Sequence, residues 1–264
     1  MQQPDSDVPP AECAICLDER QYLPPGGQRW TTLEELAARG HRTEFREQEP
    51  DLLGLGITPS VAIGERGLVV RSGRDGLLWD IPGYIDDDAV ERVRDFCELR
   101  AIAASHPHFY GVMAEWSHAF SGVPILIPEA DARWVQRRDA PVQVWSERRE
   151  VFAGVTLLQC GGHFPGSTVV HWAAGAQRRG VLLSGDTIGV VSDRRYVSFM
   201  RSFPNEIPLG EPQIRHILRV LQDVQYDRIY GGWWPSIVDR DARQAVQRSA
   251  ERYLRWISGA GADA

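Results

Sequence analysis

Three of the seven histidines stand where a metal ion could use them. His106 and His108 form a His-X-His pair in Ser105-His106-Pro107-His108, directly after the apolar run 99–104. The end of a strand in an α/β protein is where ligands are usually held. Two imidazoles one residue apart converge on one ion when the chain bends between them. His163 lies in Gly161-Gly162-His163-Phe164-Pro165-Gly166-Ser167, a turn whose proline and glycines present one imidazole at a strand end. Asp186 closes Leu182-Leu183-Ser184-Gly185-Asp186, again an apolar strand with a polar residue at its end. Three imidazoles and a carboxylate suit zinc or another first-row divalent ion. His41, His118, His171 and His216 read as structural or surface histidines. Glu115 and His118, three apart on the next helix, have a spacing that also permits them to face the site.

These residues need elements to position them. A Pro-rich start with Cys13-Ala14-Ile15-Cys16 leads to a short helix capped by Thr32, with Glu35 in capping-box position and Gly40 as its stop. Hairpin-like strands are expected at 60–63, 67–71 and 76–80, followed by a helix from Asp86 to Cys97. The strand 99–104 then delivers the chain to the His-X-His pair. Helix 112–120, strand 124–127 and helix 129–136 come next. Strands 155–160, 168–172 and 181–184 form a second β block, with a turn at 175–180. Helix 211–224, strand 227–230 and helix 239–257 close the chain. Strands in hairpins first, then alternating with helices, imply two mixed sheets with helices outside. Residues 1–45 read as an extension carrying the Cys-X-X-Cys and the short helix, its first 27 residues an arm with little core of its own, and 46–264 as one domain.

Composition narrows the function. The 43% hydrophobic and 25% charged fractions are those of a globular protein. A net charge of −7 argues against nucleic acid as a partner. No apolar run reaches the roughly 18 residues of a membrane span. The first ten residues lack a signal peptide's charged start and apolar core, so a cytoplasmic location is expected. Four cysteines are too few for a disulfide scaffold. Cys13 and Cys16 could hold a metal or a redox disulfide, but without a second pair an inert local pair is the favoured reading.

In this order and at these intervals, HPHFYG, GGHFPGS, LLSGD and IYGGWWP resemble the metal-site motifs of the metallo-β-lactamase superfamily. The resemblance runs from about residue 60 to the last helix. It implies an α/β four-layered αββα sandwich, two mixed sheets flanked by helices. It matches His106, His108 and His163 to the three-histidine site, and Asp186 to the carboxylate that normally bridges two metals. Two departures follow. Tyr110-Gly111 replace the usual Asp-His pair, and Gly231-Gly232-Trp233-Trp234 stand where the last histidine is expected. One divalent ion is therefore expected, zinc first and iron as the alternative.

The activity this implies is metal-dependent hydrolysis of a small ester, thioester or lactone-like substrate. Asp186 would complete the coordination or take the proton of the water. Tyr110 would steady the leaving group, Trp233 would wall the pocket, and Arg201 would hold an anionic group or serve as a surface ion-pair partner. Two other functions stay open: a mononuclear iron dioxygenase of sulfur compounds, and a non-catalytic relative that binds metal or ligand.

Overall fold

The computed structural model describes residues 3, 4, 6 and 8–259. Helix α1 (Leu33–Ala38) starts as expected, with the Thr32 hydroxyl accepting from the Glu35 N–H. Strands β1 (Arg42–Glu49), β2 (Leu52–Thr58), β3 (Gly67–Ser72) and β4 (Asp75–Trp79) then form an antiparallel meander. Helix α2 (Asp87–Phe96) is capped by the Asp86 side chain, with Asp87 and Asp88 at the positive end of its dipole. It crosses over to β5 (Glu98–Ala103), which is parallel to β4. Helix α3 (Met113–Ala119) leads to β6 (Ile125–Pro128), and β7 (Val142–Trp145) completes a seven-stranded mixed sheet in sequence order.

The second sheet repeats the plan. Strands β8 (Arg148–Phe152), β9 (Val155–Gln159) and β10 (Thr168–Trp172) are antiparallel, and a single turn, α4 (Gly175–Arg178), leads into β11 (Val181–Gly185). Two ribbons follow: β12 (Gly189–Val190) with β13 (Val197–Ser198), and β14 (Met200–Ser202) with β15 (Ile207–Pro208). After α5 (Glu211–Leu221), β16 (Arg228–Gly231) joins β11 in parallel, β17 (Ile237–Val238) forms the edge, and α6 (Ala242–Ile257) covers the sheet.

Side-chain alternation explains the layers. Along β3, Leu68 and Val70 point to one face and Val69 to the other. Leu68, Val70, Leu77, Trp79, Ala101 and Ala103 meet Leu157, Val170, Val181, Leu183 and Tyr230 in the core between the sheets. Val69, Leu78 and Ile102 face outward against Val93 of α2 and Trp116 of α3. Leu158, Val169, Leu182 and Ile229 do the same against Ile214 and Ile217 of α5 and Val246 of α6. Three apolar seams between four layers make an αββα sandwich.

The structure departs from the sequence reading in several places. Residues 60–63 are not a strand; Ala62 and Gly64 turn the chain with positive φ. β1 and β2 take the hairpin role instead, so the first sheet begins at Arg42, inside the stretch read as an extension. That stretch also has buried core: Cys13 and Ile15 are each 4% exposed and pack in the outer seam of the first sheet. β7 and β8 lie outside the expected strands, being short and half exposed. The expected helix at 129–136 is a 3-10 segment, Glu129–Trp134. No helix among the described residues is long and apolar enough to cross a membrane.

Candidate metal centre

The centre collects at the ends of β4, β5, β9 and β11. β5 and β4 pair in parallel, Ala103 beside Trp79, so the chain leaves both strands at one edge. Asp80 follows β4 there, and its Oδ1 accepts from the Ser105 N–H at 2.7 Å. The 3-10 turn Pro107–Phe109 then folds His108 back, leaving its ring 4.9 Å from that of His106. His163 comes from the turn after β9, which is knotted by hydrogen bonds from the Cys160 and Gly161 N–H groups to the Ser167 carbonyl and from the Phe164 N–H to the Ser167 hydroxyl. Positive φ at Gly161 and Gly162 makes that turn possible. Its ring lies 4.7 Å from His106 and 5.5 Å from His108.

One nitrogen from each of these three imidazoles lies within 4.8 Å of the other two. Each Nε2 is buried and has no hydrogen-bond partner, where buried polar atoms are ordinarily satisfied. For two of the three, the opposite ring nitrogen is occupied. His106 Nδ1 lies 2.8 Å from the Ser105 hydroxyl, and His163 Nδ1 donates to the Met200 carbonyl at 3.2 Å. A proton on His163 Nδ1 leaves the Nε2 lone pair free, the tautomer a metal needs. Asp186 sits beside them, its Oδ2 3.7 Å from His106 Nε2 and 4.0 Å from His163 Nε2. The donor set therefore fits a divalent cation.

Electrostatics agree with the geometry. Burial, reinforced by the neighbouring imidazoles, holds His106 well below its usual pKa and His108 down at about 3. Burial takes His163 to about 4. All three are thus neutral near pH 7, as ligands must be. Burial pushes the Asp186 carboxyl up to about 7. Asp80 rises to about 8, from burial first and from the charge of Asp186 as a lesser cause. A bound cation reverses that logic by favouring the carboxylates.

The remaining expected residues are placed differently. Tyr110 is 1% exposed and its hydroxyl has no partner. Burial and the charge of Asp131 push its phenol well above 10. Asp131 is itself fully buried with both oxygens unpartnered, its carboxyl raised by burial to about 6. Trp233 is half-buried and donates to the Ile63 carbonyl. Its ring meets Phe109 at 5.8 Å, and Phe109 meets His106 at 4.5 Å, so Trp233 stands one ring behind the histidines. Arg201 is exposed and paired with Glu19 at 2.6 Å.

Glu115 and His118 turn away from the centre. Glu115 accepts from Arg137 at 2.8 Å, and the exposed His118 is bonded to the Asp139 carbonyl. His41 and His171 hold the Leu36 and Gln225 carbonyls. Cys13 and Cys16 are free thiols outside the three-histidine group, the cluster among the described residues that could share an ion.

Sequence reasoning overlooked four residues here. Asp80 and Ser105 carried a signal, since both are polar residues that end apolar strands. Asp18 and Arg20 carried none. Arg20 is 6% exposed, lies 3.6 Å over the Phe164 ring, donates to the His163 carbonyl at 3.0 Å and is gripped by Asp18.

No family model matches the sequence. Over 252 residues it is 39% identical to the uncharacterized protein YmaE of Bacillus subtilis (strain 168), covering 95% of this chain and 91% of that protein. Among solved structures it is similar to the metallo-β-lactamase FIM-1 from Pseudomonas aeruginosa in its mono-zinc form, with a TM-score of 0.56 and 14% identity over 80% of this chain and 96% of the other. The metallo-β-lactamase DIM-1 gives a TM-score of 0.56 and 14% identity, over 80% of this chain and 98% of its own. At these identities the likeness is one of fold.

Proposed function

We propose that this chain, which belongs to one family with YmaE and has the metallo-β-lactamase fold, is a metal-dependent hydrolase of small ester, thioester or lactone-like substrates. The observation that carries the reading is the convergence of three buried, unpartnered Nε2 atoms beside Asp186. His106, His108 and His163 would hold one divalent ion, zinc in the first instance, and Asp186 would either complete the set or remain a base. Such an ion, when bound, lowers the pKa of a water from 15.7 toward about 7 and polarises a carbonyl.

The protein's own side chains supply the rest. With an ion beside it Asp186 would be held as a carboxylate, so where it is not bound tightly it could take the proton of the water. The Tyr110 phenol stays protonated, so it cannot act as a base; steadying a leaving oxygen would require its buried hydroxyl to turn toward the site. Trp233 would wall the apolar side through Phe109. Arg201 would meet an anionic group on release from Glu19.

A single ion is favoured because Tyr110-Gly111 and Gly231-Gly232 stand where the resemblance expects the ligands of a second ion. Tyr110 is buried, close enough to Asp131 for that charge to act on its phenol, and at Gly232 a Cβ would run into the Phe109 ring at 2.7 Å.

The test is elemental analysis of protein purified without added metal, alongside hydrolysis of a panel of esters, thioesters and lactones. One zinc per chain with chelator-sensitive hydrolysis is the expected result. Two fully occupied ions would overturn the stoichiometry. Iron with oxygen consumption, or neither metal nor turnover, would overturn the hydrolase.

A further inference from the structure

The Nε2 atoms of the three histidines are shut away from solvent, and Arg20, far away in sequence, lies on the Phe164 ring that packs against all three imidazoles. We infer that residues 13–20 form a strap across the metal centre, with Arg20 as its latch and as a positioning residue for His163. The strap, more than the sheets, would then determine what reaches the histidines. The inference rests on the hydrolase reading only for its consequence on substrates; the closure itself stands on the contacts.

The strap is anchored at both ends. Cys13 and Ile15 are buried in the outer seam of the first sheet, and the Leu17 N–H bonds back to the Cys13 carbonyl to make a turn. At the other end Arg20 makes three contacts at once. Its guanidinium lies on the Phe164 ring, its Nη1 donates to the His163 carbonyl, and Nε and Nη2 fork onto the Asp18 carboxylate at 2.6 Å each. A planar fork that stacks and donates together is a task arginine can do and lysine cannot. Phe164 in turn packs against all three histidine rings at 5.0–5.6 Å.

The same strap grips the other segment that holds His163. The Met200 carbonyl accepts from His163 Nδ1, and the residues after it bind Glu19. Arg201 pairs with its carboxylate, while the Ser202 hydroxyl and the Asn205 amide both donate to its carbonyl. His163 is therefore steadied through its main chain and its ring by segments tied to residues 18–20. Asp18 lies close enough to His108 and His163 for its charge to act on both. Residues 13–20 contain no strand, so the strap can lift without breaking either sheet.

The experiment is histidine modification by diethyl pyrocarbonate on metal-free protein, with each site read by peptide mass. Wild type is compared with Arg20→Ala and the milder Asp18→Asn. His106, His108 and His163 should react about tenfold faster in Arg20→Ala, the change that losing about one charge-assisted hydrogen bond produces. Asp18→Asn should give a smaller increase of the same kind. The exposed His118 and His216 should keep their wild-type rates, which separates lifting of the strap from general loosening. In metal-loaded protein the same variants should speed removal of the ion by a chelator by a similar factor.

Unchanged rates at the three site histidines would overturn the inference, as would an equal rise at all five. A wild type that binds no ion, yet shows the selective exposure in Arg20→Ala, would defeat the hydrolase reading and leave the strap standing. Tight metal binding with no selective exposure would do the reverse.

Discussion

His163 has its ring nitrogens assigned by its surroundings, one to the Met200 carbonyl and one to the cluster. His163→Ala should therefore leave His106, His108 and Asp186 with an incomplete set. Wild type should lose about 2.7 kcal/mol of stability when a hundredfold excess of metal over its dissociation constant is removed. The mutant should lose almost none. Melting curves of both proteins with and without a strong chelator check this, and equal chelator effects would remove His163 from the site. Ser105 makes a subtler case. Its hydroxyl lies against His106 Nδ1 while its N–H is held by Asp80. Ser105→Ala should weaken metal binding by about 10- to 100-fold, the usual effect of losing an outer partner of a ligand. A competition titration that finds the wild-type affinity would show that His106 needs no such support.

Gly111 shows how an element depends on one backbone position. It joins the His-X-His turn to α3 with φ of +41°, and a Cβ there would strike the Ile81 carbonyl. Gly111→Ala should cost at least about 2 kcal/mol and displace the turn, so denaturant unfolding should show a lower midpoint together with weaker metal binding. An unshifted midpoint would mean that the turn has slack the packing does not suggest. The site strands that could be read in advance share one trait: a mostly apolar run ending in a Gly or a polar residue. The strands carrying His106 and Asp186 have it, as does the Gly-rich turn of His163. β1 lacks it, because only Glu49 of its eight residues is buried. β2 carries Gly54 and Gly56, which interrupt its apolar run and clear space for the Trp234 ring. Asp18 and Arg20 could not be read at all, since their role comes from tertiary contact with a turn far along the chain.

Across the whole molecule, buried titratable groups tie stability to pH and to metal. The three histidines are depressed, to about 3 for His108 and about 4 for His163. The unfolded chain thus binds more protons at these sites below pH of about 6.5, and they favour folding increasingly as pH rises to that value. Four carboxyls work the other way. Burial raises Asp131 to about 6, Glu65 and Asp186 to about 7, and Asp80 to about 8. For them the folded state holds the extra proton, so stability falls as pH climbs from about 4 through those values. Between about pH 4 and 6.5 the two sets largely oppose each other. Above that only the carboxyls remain, and the metal-free protein should lose stability from pH 6.5 to 8. A bound cation removes much of that penalty, because it favours ionised Asp186 and its charge acts on nearby Asp80. The gap in melting temperature between metal-loaded and metal-free protein should therefore widen from pH 6 to pH 8. Thermal scans of both forms across that range supply the measurement. A gap that stays constant or narrows would mean that Asp186 and Asp80 do not share their charge with the ion, and that the three histidines hold it alone.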